Sequence, residues 1–156
     1  MQDAFDNALC LEVKEDDRQE PRQICFVTPP ALVALKIVAL TDRPEDRAQK
    51  DGADIAFVIH NYVDAGNKDR LRHPPHDDVM NIVDGDLDQA SALLIGRDMA
   101  QLLTGSARDT VLQLIRAEAS SGGKRVLAQK LCRELCRGNF GRARRILGRM
   151  AEGFGP

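Results

Sequence analysis

Lys36 is the single charge in an otherwise apolar run, Ala31-Leu-Val-Ala-Leu-Lys36-Ile-Val-Ala-Leu40. Desolvating a lone ammonium is expensive, so such a lysine either snorkels to water along its four-carbon stem or meets a partner. Downstream, Asp51 and Asp54 stand at i and i+3, on one face of any helix that holds both. Arg43, Arg47 and Lys50 lie beside them in sequence. Two readings are open. One is a solvated charged face. The other is a cluster at a helix junction, where the aspartates orient Lys36 or an arginine and these cations hold a triphosphate.

Three other groups carry weaker chemistry. His73-Pro-Pro-His76-Asp77-Asp78 has metal-ligand residue types, but the prolines hold the backbone extended and no other His or Cys is near in sequence. Cys132 and Cys136 stand at i and i+4 without a second pair at zinc spacing, and read as small buried hydrophobes. Cys10 and Cys25 read the same way. From Lys124 to Arg149 there are nine bases and one acid, Glu134. Arg142, Arg144, Arg145 and Arg149 lie mainly off the apolar stripe of the last helix. They form either a solvated face or a contact for a nucleic-acid backbone. No Gly-rich phosphate loop, nucleophile elbow or zinc-protease motif is present.

The elements that must position these residues follow from pattern. Leu9–Val13 and Arg22–Val27 read as short strands around a charged turn. Two strands alone are marginal in water, so this pair expects more sheet or a helix to cover it. Thr28-Pro29-Pro30 opens a helix, with Thr28 as cap, and the apolar run after it reads as a buried helix. Pro44 starts a second helix, to about Val63, with the stripe Ala48, Gly52, Ile55, Ile59 and Tyr62. Residues 64–86 are loop-like, with a helical turn near 67–72. Asp86 and Gln89 form one capping box and Ser106 with Asp109 another. Helices of about 87–103, 106–119, 124–137 and 139–152 complete the chain. The expected fold is α+β and predominantly helical: a short two-stranded N-terminal segment, then five to six helices.

Composition bounds the rest. In 156 residues, 43% are hydrophobic and 29% charged, an ordinary globular mixture that excludes disorder of the whole chain. No apolar stretch reaches the roughly 18 residues needed to span a bilayer. The start, Met1-Gln2-Asp3-Ala4-Phe5-Asp6, is acidic and lacks the apolar segment of a secretory signal. The expectation is therefore a cytoplasmic protein without membrane contact, its four cysteines kept as thiols. The net charge of −2 hides an asymmetry, because residues 106–156 carry eleven bases and four acids. Such a region meets either nucleic acid or the chain's own acidic part.

Pro30-Ala-Leu-Val-Ala-Leu-Lys36-Ile-Val-Ala-Leu-Thr-Asp42-Arg43, then Lys50-Asp51-Gly-Ala-Asp54-Ile, then Asn61-Tyr62, resembles the AbiEii/AbiGii-type nucleotidyltransferase toxin family. The likeness continues more softly through Asp64-Ala-Gly-Asn67-x-x-Arg70-Leu71 and Leu94-Ile-Gly96-Arg97-Asp98. The resemblance implies nucleotidyl transfer from an NTP to an acceptor hydroxyl, with Mg²⁺ and NTP as cofactor and substrate of a full-length relative. It implies that Lys36, Arg43 and Lys50 are phosphate-side residues, supported by Asp51 and Asp54. The family's Gly-Ser or Gly-Gly motif, with an Asp-x-Asp/Glu pair after it, has no counterpart near the start. Gly85-Asp86-Leu87-Asp88 holds an Asp-x-Asp in the wrong order, after the helices. The chain thus looks like the C-terminal two-thirds of a member. Residues 1–63 are expected to be a remnant of the nucleotidyltransferase-like domain, and 64–156 a C-terminal helical region. No metal or cofactor site is expected in this chain, nor activity by itself. The expected contacts are a protein partner at the open strand edge and RNA.

Overall fold

The computed structural model describes residues 8–13, 21–42, 45–120, 122 and 126–155; Arg43, Asp16, Asp17 and Lys124 lie outside them. Strands β1 (Leu9–Val13) and β2 (Arg22–Phe26) form an antiparallel hairpin. Helices α1 (Pro29–Asp42) and α2 (Glu45–Asn61) follow. A π-helical turn (Val63–Asn67) and a 3₁₀ turn (Lys68–Arg72) lead to the short α3 (Val79–Ile82). Then come α4 (Leu87–Leu102), α5 (Gly105–Ala119), α6 (Val126–Glu134) and α7 (Phe140–Gly153). The fold is α+β and mostly helical, as the patterning requires.

The centre of the body is α4. Every residue from Gln89 to Gly96 is buried, so this helix is enclosed on all sides. Its closest neighbour is α7. A Cβ added at Gly96 would lie 2.1 Å from the Met150 carbonyl oxygen, and one at Gly153 would lie 2.5 Å from that of Leu93. The two backbones meet where only glycine fits. One hydrophobic cluster joins Val33, Ile37, Ile55 and Ile59 to Leu94, Ile95, Ile115, Leu127 and Leu147. The core therefore runs across the 63/64 position that the sequence suggested as a boundary.

Asp86 caps α4. Its Oδ1 accepts from the backbone N–H of Asp88 and Gln89, and Gln89 Nε2 donates to its Oδ2 at 3.0 Å. Asn139 caps α7, accepting from the Arg142 N–H at 2.9 Å. Three local expectations are corrected. Helix α5 begins at Gly105, so Ser106 is inside it and not its cap. Thr28 Oγ1 is buried and has no hydrogen-bond partner. Pro30, the second helical residue, has no N–H to offer a cap hydroxyl, and the hydroxyl makes no bond to the next one, at Ala31. Finally, α1 is not buried all round. Ala31, Val33, Ala34 and Ile37 face the core, while Leu35 and Val38 line a groove of about 240 Å³ against α5.

The hairpin differs from everything else. All its residues are exposed, and neither more sheet nor a helix covers it among the described residues. The register sets Leu9 opposite Phe26, Leu11 opposite Ile24 and Val13 opposite Arg22. Alternation puts these on one face and Cys10, Glu12, Gln23 and Cys25 on the other. Cys10 and Cys25 are bonded as a disulfide, which corrects both the thiol and the buried-hydrophobe readings. The antiparallel register sets the two cysteines directly opposite each other.

Candidate functional site

Lys36 is held where α1 crosses α2. Its ammonium donates to Asp51 Oδ1 at 2.8 Å and to Asp54 Oδ2 at 2.7 Å. Asp51 is the inner partner, with 3% of its side chain exposed, and Asp54 the outer one, with 44%. Burial works against the lysine's charge, but the two carboxylate hydrogen bonds outweigh it and raise its pKa. The ammonium therefore stays charged at any physiological pH. Two carboxylates on one ammonium leave a local excess of one negative charge, and two of three N–H donors are used. Lys50, one turn before Asp54, is exposed. Of the cations expected to hold phosphate, the structure brings Lys36 to Asp51 and Asp54, leaves Lys50 in solvent beside them, and does not describe Arg43.

A second polar network lies at the far end of α2. Asp98 of α4 accepts from Arg70 at 2.9 Å and 2.6 Å through Oδ2 and Oδ1, and from the Tyr62 hydroxyl at 2.5 Å. Arg70 also donates to Asn67 Oδ1 at 2.8 Å. Burial, then the hydrogen bond to the Asp98 carboxylate, pushes the Tyr62 phenol well above its ordinary range. His76 is buried between Arg70 and Arg97, whose guanidinium nitrogens lie 3.1 Å and 3.2 Å from its Nε2 and Nδ1. Burial and the two neighbouring cations lower its pKa, so the ring is neutral near pH 7. A ring with a guanidinium at each nitrogen has no free site for a metal ion. Arg97 also pairs with Asp78 at 2.8 Å. Among the described residues, no group of three or more His, Cys, Asp or Glu side chains could hold a metal.

The third network engages part of the arginine-rich C-terminal segment. Arg142 donates to Asp86 at 2.9 Å, to Asp88 at 2.8 Å and to the Leu135 carbonyl at 2.8 Å. Burial opposes its charge, and the two aspartates outweigh burial. Arg144 donates to the Ala119 carbonyl and Arg149 pairs with Glu152. Arg145 is exposed. Arg142 thus joins α7 to the start of α4. Of the four arginines, Arg142 alone meets the acidic stretch around the start of α4.

Sequence reasoning missed the Arg70–Asp98–Tyr62 junction and the Arg142 clamp. Tyr62, Asn67 and Arg70 lie close in sequence, but Asp98 is 28 residues from Arg70, so spacing alone does not join them. Comparison with protein-family models, curated proteins and solved structures finds no match to this chain. No helix among the described residues is long and apolar enough to cross a membrane.

Proposed function

We propose that the chain is a divergent nucleotidyltransferase-like protein of the toxin–antitoxin type that binds a nucleotide without turning it over. Its phosphate-side residue is Lys36, with Lys50 beside it and Asp51 and Asp54 orienting the ammonium. The observation that carries this reading is the double carboxylate clamp on Lys36 at the α1–α2 junction, on the residues where the family likeness is densest. A lysine fixed by two acids, with one N–H left to donate, is a positioned donor and not a stray surface charge. The acids that place two Mg²⁺ ions in the family have no counterpart at the expected place in these 156 residues, so catalysis is not part of the proposal. Cytoplasmic residence belongs to the same reading, and the Cys10–Cys25 disulfide weighs against it, since a reducing cytosol disfavours such bonds.

The test is calorimetric titration of the full chain with Mg·NTP. Binding that falls at least tenfold in Lys50→Ala and in Lys36→Ala supports the proposal. Lys36→Ala strips Asp51 of a partner, so the exposed Lys50 variant guards against a folding artefact. Absence of NTP binding by the unaltered chain sinks it. Mg²⁺-dependent incorporation of labelled nucleotide, lost in Lys36→Ala, overturns the non-catalytic part.

A second reading is a helical interaction module. What favours it is the apolar hairpin face, where Leu9, Leu11, Val13, Ile24 and Phe26 are 39–61% exposed. Exposed edges accept an added strand from a partner. A strictly monomeric mass by light scattering, with no partner recovered, counts against it. RNA is the weaker partner here, because Arg142, Arg144 and Arg149 are engaged within the chain. RNA binding that ignores salt concentration would remove the electrostatic version altogether.

A further inference from the structure

One exposed stripe of α2 carries chemistry beyond the lysine clamp. Lys50, Asp54, Phe57 and Asn61 follow one another at spacings of four, three and four residues, which keeps them on one helical face. Phe57 is 69% exposed, whereas Tyr62 and Phe154 of the helical body are buried. A single exposed ring is ordinary on a protein surface. The surroundings of Phe57 are not. It lines a cleft of about 400 Å³ between α2 and the end of α6, together with Asp54, His60, Asn61 and Glu134. Asn61 donates its amide nitrogen to the Phe57 carbonyl at 2.8 Å, which turns its amide oxygen away as an acceptor. Asp54 and Glu134 are each nearly half exposed, and each is held by a lysine, Lys36 and Lys130. The exposed ring thus shares its cleft with two acceptors outside the lysine clamp, Asn61 and Glu134.

The geometry points to a nucleobase subsite on this stripe, selective for a base with an exocyclic amino group. The Phe57 ring stacks on the base, while Asn61 and Glu134 accept from its edge. Lys36 and Lys50 meet the phosphates. Lys50 lies ~10 Å from Phe57 along the helix axis, a separation suited to a nucleotide running lengthwise. Glu134, at the Phe57 end, repels phosphate and so sets which way round the ligand lies. This inference rests on the nucleotide reading above.

The test separates the two claims. The full chain is titrated with Mg·CTP, Mg·UTP and Mg·tripolyphosphate. CTP and UTP differ at the edge in question, an amino group in one and a carbonyl in the other. The expected order is CTP tightest, then UTP, then tripolyphosphate. Phe57→Ala should weaken CTP by roughly fivefold or more and leave tripolyphosphate unchanged, while Phe57→Tyr keeps CTP affinity. Phe57 is exposed, so its loss leaves the core intact. Equal affinity for CTP and UTP, or no change in Phe57→Ala, overturns the subsite and leaves the lysine reading standing. Failure of all three ligands to bind overturns both.

Discussion

The hairpin and the helical body solve the same problem in opposite ways. In the body, the charged groups drawn toward the interior meet partners: Lys36 meets Asp51 and Asp54, Arg70 meets Asp98, and Arg142 meets Asp86 and Asp88. In the hairpin, five large apolar side chains stay in water and one covalent bond ties the strands. The body draws order from many mutually consistent contacts. Among the described residues, the hairpin has little beyond its ladder and its disulfide, and an isolated two-stranded ribbon is marginal in water. The difference separates a unit that folds from its own burial from one whose apolar face is left for another surface to cover.

The comparison breaks most sharply at the α4–α7 crossing. Gly96→Ala sets a methyl 2.1 Å from the Met150 carbonyl oxygen, a backbone atom that cannot move without shifting α7. The expected loss is about 3 kcal/mol or more, read as a fall in Tm of the helical signal. The hairpin should survive in any fraction that remains folded. The reverse experiment reduces the Cys10–Cys25 bond with a dithiol, or replaces both cysteines by serine. The bond spans 15 residues, for which loop-closure entropy predicts about 3 kcal/mol. That loss should fall on the hairpin alone. Amide exchange of residues 9–13 and 22–26 should become fast while the body's Tm stays put. A body that melts earlier after reduction would show that the two regions are coupled.

Arg142→Ala comes next. It removes a guanidinium from two aspartates and a carbonyl at the α4–α7 junction. A fully buried pair would cost more, but a quarter of this arginine is exposed. The expected loss is therefore about 2 kcal/mol, read by denaturant midpoint at constant slope. Arg145→Ala, on the exposed side of the same helix, should change nothing measurable. If the two variants behave alike, the arginine-rich segment is a solvated face after all.

Much of the body was legible because its signals are local. The Asp86–Gln89 spacing located the start of α4, and the lone charge on α1 singled out Lys36. The clamp that Lys36 joins was also readable, since Asp51 and Asp54 share a helical face one helix later. Arg142 was not, because its partners Asp86 and Asp88 lie 56 and 54 residues away in sequence. Only the packing of α7 on α4 brings them together, and no periodicity encodes that. The disulfide was missed for another reason. Alternation already separated Leu9, Leu11 and Val13 from Cys10 and Glu12, but the thiol reading came from an inferred compartment and not from the strand register that sets Cys10 against Cys25.

The smallest effect tests whether the body's polar networks are as complete as their distances imply. His76 has a guanidinium nitrogen at each ring nitrogen, with Asp98 and Asp78 behind those arginines. A neutral ring accepts at only one nitrogen, and a charged ring would face two cations. Burial, and then these two cations, lower its folded pKa from 6.5. As pH falls below about 6.5, the unfolded histidine takes up a proton that the folded one resists, so the unfolded state binds more protons and stability falls. Above the unfolded pKa this penalty is absent. Asp78 and Asp86 also have lowered pKa values, but they act in a separate window, below about 4. Thermal melts between pH 7 and pH 5 should therefore show a downward drift in Tm that His76→Gln flattens. An unflattened slope in His76→Gln would mean that another group of the body titrates there, and that the Arg70–His76–Arg97 contact is looser than its geometry.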